Sequence, residues 1–245
     1  MNTTVFGLRA IIEAIQSGST INKIYLQKGL RGKLFFKLES LIKQNRIATS
    51  FVPIEKLDRL SKNKNHQGAV AQISPVEFYD LEQLIDQIQN KDKTPLFLIL
   101  DQVSDVRNFG AIIRNAECTG VDGIIIQQSG SAPVNAETIK TSAGAAFKVS
   151  ICRVNHIKDA IYILKASNIS IIAATEKTDN LIYDVDFNIP LAIVMGSEHK
   201  GVSSSILKIV DNRAKLPLLG DIDSLNVSVA CGVFLYEIIR QRLKK

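Results

Sequence analysis

The chain has 245 residues, 46% of them apolar and 22% charged, so it can bury a sizeable core and has the composition of an ordinary globular protein. No apolar run reaches the roughly 20 residues that a membrane-spanning helix needs, and the opening Met1-Asn2-Thr3-Thr4 lacks the pattern of a secretory signal. Three scattered cysteines (Cys118, Cys152, Cys231) and three scattered histidines (His66, His156, His199) argue against a disulfide framework and a metal site, and for a reducing, cytoplasmic setting.

The net charge of +6 is unevenly placed. Residues 1–93 hold 14 Lys and Arg against 9 Asp and Glu, whereas residues 94–245 hold 16 against 15. Between residues 23 and 64 the basic side chains are opposed only by Glu39, Glu55 and Asp58. A localised basic surface suits a polyanion such as RNA, with Lys33 and Lys37 as expected contacts; the alternative is a solvated face.

In chain order, Val5, Leu8, Ile11, Ile12 and Ile15 recur at helical spacing and predict a first helix that Gly18 ends. A strand at 23–27, a helix at 33–43 and a strand at 69–73 complete a small α/β domain, residues 1–75. Residues 76–94 read as a linker, polar and charged at 87–94, with a stretch at 81–88 that suits a helix. The second domain, residues 95–245, opens on the continuous apolar run Leu96–Leu100, as expected of a strand buried on both faces. A helix at 109–119 follows, then strands at 123–126, 147–152, 169–174 and 191–195, and a long final helix at 227–243. The predicted class is α/β, a parallel sheet with helices on both sides, whose ligands bind where strands end and loops begin.

Neither domain has a G-x-G-x-x-G turn after its first strand, and there is no G-x-x-x-x-G-K-[ST] phosphate loop and no G-x-S-x-G elbow. A dehydrogenase, an NTPase and a serine hydrolase all lose ground. Three polar loops remain, each following an apolar strand of the second domain. The first runs through Asn108-Phe109-Gly110 to Arg114; Asn108 suits a helix N-cap, and Gly110 suits a close approach of backbone to a ligand. The second is Gly196-Ser197-Glu198, with Gly201 before a helix. The third runs from Leu216 to Ser224-Leu225-Asn226-Val227-Ser228, where Ser224 or Asn226 suits the cap of the last helix.

Together and in this order, the three loops resemble the signature motifs of the SpoU/TrmH family of RNA ribose 2′-O-methyltransferases, within the SPOUT superfamily. Thr141-Ser142-Ala143-Gly144-Ala145 resembles a short segment that the family carries between the first two motifs. Phe6-Gly7-Leu8-Arg9-Ala10 and Asn65-His66-Gln67-Gly68-Ala69-Val70 resemble, more loosely, the amino-terminal RNA-binding domain of bacterial members that act on large-subunit rRNA. Arg9 stands where a histidine is common, and Val106-Arg107 replaces a usual Pro-His pair.

The resemblance implies a parallel sheet tied in a trefoil knot, S-adenosylmethionine as cofactor, a homodimer with sites near the interface, and no metal. It implies that the first domain binds RNA and the second carries the chemistry. The implied substrate is a guanosine of 23S rRNA, with a tRNA ribose as the alternative; a non-catalytic RNA-binding protein of the same fold is the rival from another class. Arg114 is implied as the catalytic residue. A guanidinium normally stays protonated, so binding a phosphate and stabilising a developing alkoxide suits it better than acting as a base. Asn108 is implied to orient Arg114 or touch substrate, Glu198 to pair with Arg114 or another active-site group, and Ser224 and Asn226 to contact substrate or fix the last loop. Backbone groups at Gly196, Leu216, Leu225 and, less clearly, Thr175 are the implied cofactor contacts. Without the resemblance these read as a surface arginine, a helix cap, an exposed carboxylate and core leucines. His66 reads as structural or as an RNA contact, and the cysteines as packed thiols.

Overall fold

The computed structural model describes residues 3–91, 93–198, 200–221 and 223–243. The chain divides into two compact units, Met1–Glu77 with Pro133–Ala136, and Phe78–Ala132 with Glu137–Lys245.

In the first unit β1 (Thr3–Phe6) leads into α1 (Leu8–Gln16), then β2 (Ile21–Gln27), α2 (Lys33–Gln44), β3 (Thr49–Val52), α3 (Ile54–Ser61) and β4 (Ala69–Ile73). The strands form a sheet of order β1-β4-β2-β3, with β4 antiparallel to both neighbours and β3 parallel to β2. On one face Ile11 and Ile12 of α1 and Phe35 and Leu38 of α2 pack with Ile24, Leu26 and Ala71. On the other, Leu57 of α3 packs with Val52 and Val70. Val5, expected in the first helix, lies instead in β1, and that helix starts after Gly7. β3 and α3 go beyond the predicted elements, because Thr49-Ser50-Phe51-Val52 offers neither an apolar run nor clean alternation. His66 is buried, with Nε2 on Asp58 Oδ1 at 3.1 Å and Nδ1 accepting the Gly68 N–H at 3.0 Å. Because Nδ1 accepts, the proton sits on Nε2, and the ring braces the turn into β4.

The second unit begins within the expected linker. α4 (Leu81–Gln89) buries Leu81, Leu84, Ile85 and Ile88 in this unit's core. There follow β5 (Leu96–Leu100), α5 (Val106–Cys118), β6 (Gly123–Gln127), α6 (Ala136–Thr141), β7 (Ile151–Val154), α7 (Ile157–Ala166), β8 (Ser170–Ala174), β9 (Leu191–Met195), α8 (Ser204–Leu207), β10 (Asn212–Ala214) and α9 (Val227–Arg242). The sheet is parallel throughout, in the order β10-β8-β9-β5-β6-β7. β5 and β9 are buried at every residue, as their unbroken apolar runs require. Phe147, expected in a strand, is exposed in a short 3₁₀ turn, and the strand starts only at Ile151. Burial pushes the Cys152 and Cys231 thiols up to about 12, which leaves them inert, whereas Cys118 is exposed rather than packed.

Parallel strands put all their carboxyl ends on one edge of the sheet. The register pairs Leu100 with Met195 and Ala214 with Ala174. Asp101 and Gly196 therefore leave the sheet side by side, as do Thr175 and Lys215. The order also places β9 between β5 and β8, so the chain reverses direction across the sheet here, and crevices open at such points.

Candidate active site

A cavity of about 400 Å³ opens at that edge. The residues following β8, β9 and β10 supply Thr175, Gly196 and Leu216, and the segment before α9 supplies Ser224 and Leu225. All four positions expected to meet the cofactor thus line one cavity. Leu225 is 44% exposed and Leu216 half-buried, so neither is the core leucine its residue type suggests. Met195, Val227, Ala230 and Phe234 form an apolar floor. Glu176, Lys177, Lys200, Lys215 and Asp223 add charges at the wall. Sequence reasoning misses these five; their one signal is position, directly after a strand or inside a motif loop.

Gly196 explains itself by what approaches it. A Cβ there would sit 2.0 Å from the Gly201 carbonyl carbon and 2.1 Å from the Val202 nitrogen. The loop after β9 folds straight back over Gly196, held by Ser197 N–H to Gly201 O at 3.1 Å and Gly201 N–H to Ser197 O at 2.9 Å. Asp101, buried at the end of β5, accepts the Ser203 N–H at 2.8 Å and ties the end of this loop to the neighbouring strand. His199 of this loop lies outside the described residues.

The first loop differs from expectation in two ways. Asp105, not Asn108, caps α5, accepting from the Arg107 and Asn108 N–H groups at 2.9 and 2.8 Å. Such a cap contributes about 0.5–2 kcal/mol. It also releases the Asn108 side chain, whose Nδ2 donates to Glu198 Oε1. Gly110 lines neither cavity and lies against α6 instead. A Cβ there would fall 1.8 Å from Thr141 Oγ1 and 3.1 Å from the Ser142 nitrogen, so the glycine lets the end of α6 press against α5. The Thr141–Ala145 segment is a packing partner of the first loop.

Asn226, of the two expected cap residues, is the one that caps α9. Its Oδ1 accepts from the Ser228 N–H at 2.9 Å and the Ser228 hydroxyl at 2.6 Å, and its Nδ2 donates to Asn108 Oδ1 at 3.0 Å. A chain of bonds therefore runs from the head of α9 through Asn226 and Asn108 to Glu198. Asn108, Glu198 and Asn226 come together from three loops far apart in sequence. Glu198 also lines a second, smaller cavity of about 310 Å³ with Gln102, Val103, Ser104, Asp105 and Ser197, at the head of α5. Glu198 and Ser197 form the boundary that the two cavities share.

Arg114 is not gathered into this cluster. It is exposed on α5, lines neither cavity, and has no hydrogen-bond or ion-pair partner among the described residues. It lies six positions after Asn108, about 9 Å along the helix axis. Beside it, α5 and α9 pack through the Asn115 Nδ2 bond to Ser228 O at 2.9 Å. Next to that contact a shallow concavity is lined by Ala111, Tyr183, Val229, Val233 and Tyr236. The last four are all exposed, Val229 at 51% and Tyr236 at 58%.

The chain is similar to known proteins along its whole length. Residues 95–236 match the SpoU rRNA Methylase family, and residues 4–79 match the domain described as RNA 2′-O ribose methyltransferase substrate binding. A Staphylococcus aureus protein assigned to the TrmH family of tRNA/rRNA methyltransferases is 37% identical over 242 residues, 98% of this chain and 97% of its own. A Staphylococcus haemolyticus relative of the same description is 36% identical, over 97% and 95% of the two chains. Among solved structures, the SpoU methyltransferase AviRb from Streptomyces viridochromogenes superposes with a TM-score of 0.63 at 23% identity, over 99% of this chain and 90% of that one. The TrmH/SpoU tRNA modifying enzyme of A. aeolicus gives 0.57 at 30% identity, over 67% and 83%. Matched by the family over more than half its length, and by relatives more than a third identical over nearly all of it, this chain belongs to the SpoU rRNA methylase family.

Proposed function

We propose that the protein methylates the ribose 2′-hydroxyl of a guanosine in 23S rRNA, with the loops after β8, β9 and β10 holding S-adenosylmethionine. As a SpoU/TrmH family member it is an S-adenosylmethionine-dependent RNA 2′-O-methyltransferase; the AviRb enzyme has been solved in complex with the cofactor AdoMet. The observation that carries the reading is the pair of cavities that share Ser197 and Glu198.

The larger cavity suits an adenosyl compound. It has an apolar floor for a base and a rim of backbone groups at Gly196, Leu216 and Leu225, within the size range of small-molecule sites. S-adenosylmethionine supplies an electrophilic methyl group on a sulfonium. The protein's work is then alignment of the incoming oxygen and removal of its proton. Glu198 faces both cavities, and the Asn226–Asn108 bonds fix where its carboxylate points. Ser224, at the rim of the larger cavity, is placed to contact substrate or the last loop. Arg114 carries a charge that nothing among the described residues neutralises, and it serves to bind a phosphate and stabilise the forming alkoxide.

The choice of rRNA rests on the first unit. Residues 4–79 match a substrate-binding domain, whereas the likeness to the A. aeolicus tRNA modifying enzyme takes in only 67% of this chain. Supplying unmodified 23S rRNA and bulk tRNA together with labelled cofactor tests this, and label entering tRNA in preference would overturn it.

The working form is a homodimer formed through α5 and α9. Val229, Val233 and Tyr236 recur on one exposed face of α9, and Arg114 stands beside it, so a second copy covers the apolar face and brings the arginine to a complete site. Val233→Glu is expected to give a monomer by sedimentation that keeps the wild-type circular dichroism spectrum, because Val233 is 39% exposed in the single chain; its melting temperature falls only by the lost association. A Val233→Glu protein that stays dimeric places the interface elsewhere.

A further inference from the structure

The fold separates the basic stretch of residues 23–64 onto two faces of the first unit's sheet. Lys33 and Lys37 stand exposed on α2, on the face that α1 and α2 cover. Lys23 in β2 and Lys56 in α3 belong to the opposite face, and both ammonium groups lie 5.4 Å from the centre of the same ring, Tyr25. The register sets Tyr25 beside Val70 and Val70 beside Phe6, and Lys64 lies 5.8 Å over the Phe6 ring. Val70 is buried beneath Leu57 of α3, so the partly exposed Tyr25 and Phe6 rings stand on either side of that packed centre, and three lysines flank them.

These lysines differ from an ordinary solvated set. Lys43 on α2 is paired with Glu39 at 3.5 Å; Lys33 and Lys37, like Lys23, Lys56 and Lys64, have no carboxylate partner among the described residues, and it is the ring contacts that set the last three apart. Asp58, on the same helix as Lys56, is engaged by His66. The ring attracts each ammonium and holds it in place without neutralising it. Two like charges are therefore held against one tyrosine with no ion-pair partner among the described residues, although Glu55 and Asp58 share the helix of Lys56. The Tyr25 hydroxyl also has no hydrogen-bond partner among them, and it can donate. Anionic oxygens supply what all of these groups lack.

We propose that the RNA backbone crosses the α3 face of the first unit, its phosphates bound by Lys23, Lys56 and Lys64 beside the Tyr25 and Phe6 rings. The proposal rests on the reading of this chain as an RNA methyltransferase and states which face of the first unit carries the RNA.

The test is filter binding of the full-length protein to unmodified 23S rRNA transcript across a KCl series. Each phosphate that the protein no longer neutralises lowers the slope of log affinity against log salt by about 0.7–0.9. The double variant K23Q/K56Q is expected to lower it by about one to two units, with affinity reduced about tenfold or more near physiological salt. K33Q/K37Q is expected to change the slope by less than half as much. Melting curves and cofactor affinity should match the wild type in both. An unchanged slope in K23Q/K56Q, or a larger loss in K33Q/K37Q, overturns the proposal and places the RNA on α2. If the wild type binds rRNA with this pattern but transfers no methyl group, the reading of function fails and the surface stands. If it methylates RNA while K23Q/K56Q binds normally, the surface fails and the function stands.

Discussion

Arg114→Ala is expected to slow methyl transfer by about 100-fold or more, the scale of losing a charge that stabilises a transition state. Cofactor affinity should survive, because Arg114 does not line the cavity formed by the loops after β8, β9 and β10. The melting curve should also hold, since the side chain is exposed and makes no bond within the described residues. Arg114→Lys should be nearly as poor, because an ammonium cannot present a planar pair of donors to a phosphate. Single-turnover transfer to an rRNA fragment, read beside calorimetry of the cofactor, separates the two effects. A well-folded Arg114→Ala protein with near-normal turnover removes this arginine from the chemistry.

Gly196→Ala should damage the other half of the site. The new Cβ would lie 2.0 and 2.1 Å from backbone atoms of Gly201 and Val202, and neither can rotate away as a side chain would. The loop after β9 must move, and the Ser197–Gly201 backbone pair moves with it. S-adenosylmethionine affinity is expected to fall at least tenfold, about 1.4 kcal/mol, with a lowered melting temperature. Gly220→Ala is the matched control. It lies in the same loop region as Leu216 and Leu225, and a Cβ there meets nothing within 4 Å. Its affinity and melting should stay at wild-type values; equal losses in both variants would mean that the close approach at Gly196 does not shape the site.

Some parts of this architecture are legible in the sequence, and others are concealed for physical reasons. Strands β5 and β9 are evident because burial on both faces demands an unbroken apolar run. Edge strand β10, Asn212-Arg213-Ala214, is not, because one side of it is open and its residues carry no such signature. Asp105 and Asn108 are both competent caps three residues apart, and only the fold shows that the aspartate takes the cap and frees the asparagine. Gly110 announces a close approach without saying whose, and the neighbour is Thr141. Leu216 and Leu225 read as core by residue type, yet the last loop leaves them at the surface of a cavity. The Asn226–Asn108–Glu198 chain joins positions 118 and 90 residues apart, a relation that no local pattern encodes.

The destination of the methyl group decides whether the two cavities do the chemistry proposed for them. The protein is incubated with unmodified 23S rRNA and methyl-labelled S-adenosylmethionine, and the RNA is digested to nucleosides for mass spectrometry. Label is expected on the ribose of a guanosine, at a single site whose flanking phosphodiester resists alkali. Label on a base, or no transfer to RNA by a protein that binds the cofactor, would contradict the proposed function.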